Sequence, residues 1–190
     1  MRTIVMTLLF ACFIFIPFFS SSYGAQHIVL YHVGEKDQEA RVLLKKHLAG
    51  KGFVVFTYEG TDRIEKQVEI ANKINRLRAS LFMAVEFTFS DQENVIVAVS
   101  NAKKSEGQFL TIEEVPAVHV GRSREFALLV AERFKGKVLD LPLFPLLGID
   151  MPGLFLRITC PKEKAGEVLS EVSESMQKYF TRGIKDEGKQ

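Results

Sequence analysis

The 190-residue sequence is poor in cysteine and has almost no excess of either charge. Its two cysteines are Cys12 and Cys160, and Cys12 lies in an apolar N-terminal stretch, so a processed chain cannot form an internal disulfide. Zinc fingers and zinc ribbons need several thiolates and are excluded for the same reason. The 25 Lys and Arg against 23 Asp and Glu argue against a polybasic nucleic-acid binder. With 47% hydrophobic and 25% charged residues, the composition is typical of one globular domain.

The N-terminal stretch has the features of an export signal. Arg2 precedes an apolar run over residues 4–19, and small residues follow up to Gly24. A basic start, an apolar centre and small residues near the cleavage point are typical of a secretory signal. The run falls short of the ~20 residues that span a bilayer, and Pro17 interrupts it, which disfavours an uncleaved anchor. We therefore predict a signal peptide over residues 1–24, a secreted or periplasmic protein, and no membrane attachment after cleavage.

Strand and helix patterns alternate along the rest of the chain. Apolar β-branched and aromatic runs predict strands, and apolar residues recurring at helical spacing predict helices. This alternation predicts a single-domain, three-layer α/β fold, with a mostly parallel or mixed central sheet flanked by helices, over residues 25–181. A charged tail over residues 182–190 is expected to fray. Strands are predicted over 27–31, 53–57, 80–88, 94–99 and 153–159, and helices over 35–49, 62–78, 123–134 and 161–180.

Local signals add detail to this plan. Asp62 and Glu65 have the spacing of a capping pair, and Ser123 is placed to cap the third helix. The strand over 94–99 is expected to pair antiparallel with its predecessor across the polar turn 90–93. Residues 139–147 contain two prolines and are predicted to be irregular or edge-like.

Several short motifs follow one another along the chain: EK at 35–36, GFVV at 52–55, AN at 71–72, LFMAVE at 81–86 and MPGLFLRI at 151–158. Their order resembles the zinc-dependent N-acetylmuramoyl-L-alanine amidases of the type 3 family, which runs roughly E-K, G-x-x-V, A-N, L-F-I-S-I-H-A-N and M-P-x-x-L-V-E-x-G-F. The resemblance implies an amidase fold in which two histidines and a glutamate hold zinc. It also implies a second glutamate that acts as acid and base while the amide between muramic acid and the stem peptide is cut.

This sequence departs from the family at most of the functional positions. His32 stands near the first ligand after a shortened loop, Glu35 aligns with the second, and Glu86 stands where the family has its third ligand, a histidine. The acid/base glutamate aligns with Arg157, which stays protonated and cannot accept a proton. A further arginine of the family is Gln67 here. The resemblance therefore implies a degenerate member with no catalytic residue and no bound cofactor, acting as a peptidoglycan-binding or regulatory module.

Two other functions remain open from the sequence. The first is an active zinc amidase that uses His32, Glu35 and Glu86 as an atypical ligand set. The second is a structural partner of an envelope protein, which presents the polar loop over residues 101–108.

Compared with the family, Glu86 replaces a histidine by an acid, and Arg157 replaces an acid by a base. These two changes together predict an ion pair. We expect Glu86 and Arg157 to form a buried salt bridge in the place of the zinc site, because a buried charge without a partner is costly. Arg122 and Arg124 form an anion site with Arg157 only if the fold brings the three together. Cys160 is interpreted as a small buried apolar residue rather than a nucleophile.

Overall fold

A computed structural model describes residues 25–34, 38–107 and 109–187. The strands are β1 (His27–Val33), β2 (Val54–Glu59), β3 (Leu81–Phe89), β4 (Asn94–Ser100), β5 (Val138–Leu141) and β6 (Gly153–Cys160). The α-helices are α1 (Gln38–Gly50), α2 (Ile64–Arg76), α3 (Val120–Arg133) and α4 (Ala165–Glu187). Short 3₁₀ turns lie at Val115–His119, Phe144–Leu146 and Lys162–Lys164.

The six strands form one mixed sheet in the order β2-β1-β3-β6-β4-β5. Strands β2, β1, β3 and β6 are parallel, β4 runs antiparallel to β6, and β5 is parallel to β4. Helices lie on both faces, so the predicted three-layer α/β fold is confirmed. The expected pairing of the strand at 94–99 with its predecessor is wrong. Because β1 and β6 already occupy both edges of β3, β4 pairs with β6 instead.

Alternate side chains of β3 enter two separate cores. Leu81 and Met83 join the core under α1, α3 and α4, on what we call the three-helix face. Phe82 and Ala84 join the core under α2 and residues 143–151, on what we call the α2 face. A strand that is covered on both faces needs apolar residues at nearly every position, and β3 has them.

Several predicted helix ends are wrong. The N-cap of α2 is Arg63, which makes no side-chain capping bond, so Asp62 and Glu65 do not form the expected pair. Ser123 lies inside α3, which begins at Val120. Its hydroxyl donates to the His119 carbonyl (2.9 Å) and accepts from the Gly153 amide (2.9 Å), so it fastens the start of β6 instead of capping a helix.

The closing helix is longer than its prediction, because α4 continues past Phe180 to Glu187. The predicted signal peptide over residues 1–24 lies outside the described residues, as does Glu35. Of the helices in the described ranges, none has the length and hydropathy needed to cross a bilayer.

Candidate functional site

A cleft of about 410 Å³ opens on the α2 face, beside the carboxyl ends of the parallel strands β1, β3 and β6. This is the edge at which open α/β sheets usually bind their ligands. Val33, Glu86 and Arg157 line it from these strands. Residues 139–145, which include β5 and the segment after it, form an apolar wall.

Glu86 and Arg157 face each other across the cleft floor. They are direct register partners on the neighbouring strands β3 and β6. Arg157 Nε donates to Glu86 Oε2 over 2.9 Å, and the guanidinium carbon lies 5.8 Å from the centre of the Phe155 ring. The expected ion pair is therefore present. It is not fully buried, because the side chains are 49% (Arg157) and 26% (Glu86) exposed where the cleft opens to solvent.

His32 does not lie with this pair. Val33 is the register partner of Glu86 and packs in the core of the α2 face, so Glu86 points to that face. Because neighbouring side chains in a strand point to opposite faces, His32 points to the three-helix face. The structure therefore does not bring His32 and Glu86 together as ligands of one ion. Glu35, the third member of the predicted set, lies outside the described residues.

The surroundings of His32 keep its ring neutral. The residue is 7% exposed. Burial lowers its pKa from 6.5 to about 4, the positive charge of Arg41 adds to this effect, and the carboxylate of Glu59 opposes it. Arg41 and Glu59 themselves form an ion pair of 2.5 Å.

The cleft residues do not fit a zinc ion. The carboxylate of Glu86 is already engaged by a guanidinium, whose positive charge opposes a second cation at the same place. Within the described ranges, no group of three His, Cys, Asp or Glu side chains is arranged to hold a metal. We therefore derive no metal-dependent step for this cleft.

The buried Gln67 connects the cleft wall to β1 through hydrogen bonds. Gln67 is fully buried; its Oε1 accepts from the Tyr31 hydroxyl (2.6 Å), and its Nε2 donates to the Pro145 carbonyl (3.0 Å). The Tyr31 oxygen also accepts from the Thr61 amide (3.0 Å), and burial raises the pKa of the tyrosine. This network joins β1, α2 and the segment that walls the cleft. Sequence reasoning gave Gln67 no such role, although it precedes the core residue Ala71 by one helical turn.

The remaining candidates lie elsewhere. Arg124 pairs with Asp140 and Arg157 with Glu86, and Arg122 lines a different cavity, so the three arginines do not form a joint anion site. Cys160 is fully buried, and desolvation raises the pKa of its thiol, in agreement with its interpretation as a core residue.

No protein-family model matches the chain, and no curated protein matches it significantly. Solved structures do match. An N-acetylmuramoyl-L-alanine amidase from Clostridium difficile 630 is similar with a TM-score of 0.51 and 12% identity, over 85% of this chain and 97% of that chain. The amidase Ami1 from Mycobacterium smegmatis gives 0.53 and 11%, over 85% and 98%. The catalytic domain of the CD27L endolysin targeting Clostridia Difficile gives 0.54 and 10%, over 79% and 96%. At these identities the likeness concerns the architecture alone, and the chain has the fold of the N-acetylmuramoyl-L-alanine amidases.

Proposed function

We propose that this protein is an exported, amidase-fold module that binds peptidoglycan and does not hydrolyse it. The observation that carries the proposal is the ion pair between Glu86 and Arg157. By the sequence resemblance, these two positions correspond to a zinc-ligand histidine and to the acid/base glutamate.

The pair argues against hydrolysis for two chemical reasons. A guanidinium cannot take a proton from an attacking water at physiological pH, so Arg157 cannot act as a base. The Glu86 carboxylate is neutralised by that guanidinium, and His32 lies on the other face of the sheet. The cleft face therefore offers neither a base nor a second ligand from the described residues.

The same cleft is suited to binding. Arg157 is half exposed and keeps donors free for amide, hydroxyl or carboxylate oxygens of a ligand. Along the apolar wall, Leu139 and Leu141 remain 42% and 37% exposed. A site with an apolar wall and a few fixed polar groups suits a ligand that has both apolar and polar surfaces, as a glycan with a peptide stem does. Export follows from the leader-like residues 1–24.

The first experiment separates binding from catalysis. The purified protein is analysed for zinc, incubated with muropeptides, and sedimented with insoluble peptidoglycan. We expect no stoichiometric zinc, no released peptide, and protein in the pellet. Stoichiometric zinc together with released peptide would overturn the proposal in favour of the atypical enzyme. Protein that neither hydrolyses nor sediments would favour a protein partner in the envelope.

The second experiment assigns binding to the cleft. Arg157→Ala is expected to weaken sedimentation about tenfold or more, the loss typical of a hydrogen bond to a charged group. Arg133→Ala is a matched control, because Arg133 is also 49% exposed and ion-paired, but to Glu171 and Glu174 on α4. Equal losses in the two variants would show that general charge, not the cleft, retains the protein in the pellet.

A further inference from the structure

A second and larger cavity, of about 1120 Å³, lies at the opposite edge of the sheet. It is bordered by residues just before β3 and β6, by one side of α3 from Arg122 to Glu132, and by the end of α4. The cleft on the α2 face shares none of its lining residues. Leu129, Met151 and Tyr179 give this cavity a largely buried apolar side. We call it the amino-edge cavity.

Three arginines line the amino-edge cavity without a partner. Arg78, Arg122 and Arg182 are exposed, and none of them forms an ion pair within the part of the chain that the structure describes. By contrast, Arg41 and Arg157 each have a carboxylate partner. Arg63 and Arg76 also have no ion pair among the described residues, but they lie outside the cavity, which brings three unpaired guanidiniums to one place.

Most of the acids in this cavity are already engaged. Asp150 Oδ1 lies 2.9 Å from His119 Nε2, and Glu132 lies 3.8 Å from the ammonium of Lys178. Among the described lining residues, Glu125 is the carboxylate left without an ion pair. In the described part of the lining, the three guanidiniums without an ion pair therefore outnumber the one carboxylate without an ion pair.

The backbone of Arg78 has a left-handed conformation. The residue follows the end of α2 with a φ of +48°, in the left-handed region where glycine is the usual residue. A residue in this conformation commonly ends a helix, and Arg78 at this position borders the cavity without an ion-pair partner among the described residues.

The hydroxyl of Tyr179 is a further polar group at this cavity. The tyrosine is 8% exposed and lines the cavity, yet its hydroxyl has no hydrogen-bond partner among the described residues. No fully buried side-chain oxygen in the described chain lacks a partner, so this hydroxyl is open to solvent. A buried tyrosine that leaves its hydroxyl open offers a donor to a ligand.

We propose that the amino-edge cavity binds an organic anion. Arg78, Arg122 and Arg182 hold its carboxylate or phosphate group, Tyr179 donates a hydrogen bond, and the apolar body of the ligand lies near Leu129. Guanidinium groups suit both oxyanions because their donors match two oxygens at once. This site is separate from the proposed peptidoglycan cleft and does not depend on it.

The test uses two anionic probes and one neutral probe. Phenyl phosphate, phenylacetate and benzyl alcohol are titrated into the purified protein, and binding is followed by calorimetry and by NMR chemical shifts. We expect saturable binding of at least one anion, with shifts around Tyr179, and much weaker binding of the alcohol. The anion that binds more tightly identifies the headgroup. No saturable binding of either anion, or equal binding of the alcohol, would overturn the proposal.

Variants then locate the site. Arg122→Gln and Arg78→Gly are each expected to weaken anion binding about tenfold or more. Arg78→Gly also relieves the positive φ, so the variant should fold at least as well as the parent protein. Arg76→Gln is the control, because Arg76 is exposed at the end of the same helix but does not line the cavity. An equal loss with Arg76→Gln would show non-specific attraction and refute the site.

Discussion

Replacing His32 by glutamine should make the stability of the protein less sensitive to acid. The ring is 7% exposed at the end of β1, and its pKa falls to about 4 because of burial and the nearby Arg41, with Glu59 opposing. At neutral pH the imidazole is uncharged in both the folded and the unfolded chain. As the pH falls below about 6.5, the unfolded chain takes up a proton while the folded chain does not, so the free energy of unfolding decreases until the pH passes the folded pKa.

The size of this effect follows from the two pKa values. One unit of pKa corresponds to about 1.4 kcal/mol, so a shift from 6.5 to about 4 gives an upper limit of roughly 3 kcal/mol, reached below pH 4. At pH 5 the folded ring is still almost entirely neutral, and the loss due to His32 is about 2 kcal/mol relative to pH 7.5. Glutamine does not titrate, so the variant lacks this loss.

The measurement is urea unfolding of both proteins at pH 7.5 and pH 5. We expect the free energy of unfolding of His32→Gln to fall by about 2 kcal/mol less than that of the parent between these two pH values. His47→Gln is the control, because it removes a histidine of α1 that is partly exposed instead of enclosed. If His32→Gln loses as much stability as the parent, the proposed neutral, enclosed imidazole is refuted.

Three further substitutions, each measured by urea unfolding, test side chains at the cleft and at the start of β6. Gln67→Leu should cost about 1–3 kcal/mol, because it leaves the buried Tyr31 hydroxyl without its acceptor; an unchanged midpoint would show that the network adds no stability. Ser123→Ala should cost a similar ~1–3 kcal/mol, since the Gly153 amide loses its partner at the start of β6, and a neutral result would contradict this anchoring role. Arg157→Gln should cost about 1 kcal/mol or less, because the ion pair is half exposed; a loss of several kcal/mol would mean that the pair is structural rather than available to a ligand.

Five of the six strands and the three-layer arrangement could be predicted from the sequence, because each of these strands is a short apolar run between polar residues or glycines. The edge strand β5 lies where the sequence predicted only an irregular or edge-like segment. The pairing partner of β4 could not be predicted. The apolar pattern at 94–99 suits an antiparallel neighbour in general, and nothing in it distinguishes β3 from β6. The choice depends on β3 lying in the middle of the sheet, where β1 and β6 occupy both of its edges. The ends of α2 and α3 were also missed, since both helices begin without a side-chain cap.

For the cleft, the sequence predicted the partners of the ion pair but not their exposure. The charges of Glu86 and Arg157 follow from the residue types, and their contact follows from the register of β3 against β6. Their partial exposure depends on how closely the cleft wall formed by β5 and residues 142–145 covers them, which no local pattern encodes. The amino-edge cavity was harder still to foresee, because Arg78, Arg122 and Arg182 are distant in sequence and lie in or directly after helices on opposite faces of the sheet.

The alternation of side chains along β1 places His32 on the face of the sheet opposite the cleft. Substituting histidine for Glu86 and glutamate for Arg157 would place both new side chains on the α2 face. His32 would still point to the three-helix face, because a strand cannot turn one side chain over without shifting its register. Such a shift would also move Tyr31 out of the core of the α2 face, where it is 1% exposed and hydrogen-bonded. The packing of β1 therefore holds His32 away from the Glu86–Arg157 ion pair, which lies on the α2 face without a histidine from this strand.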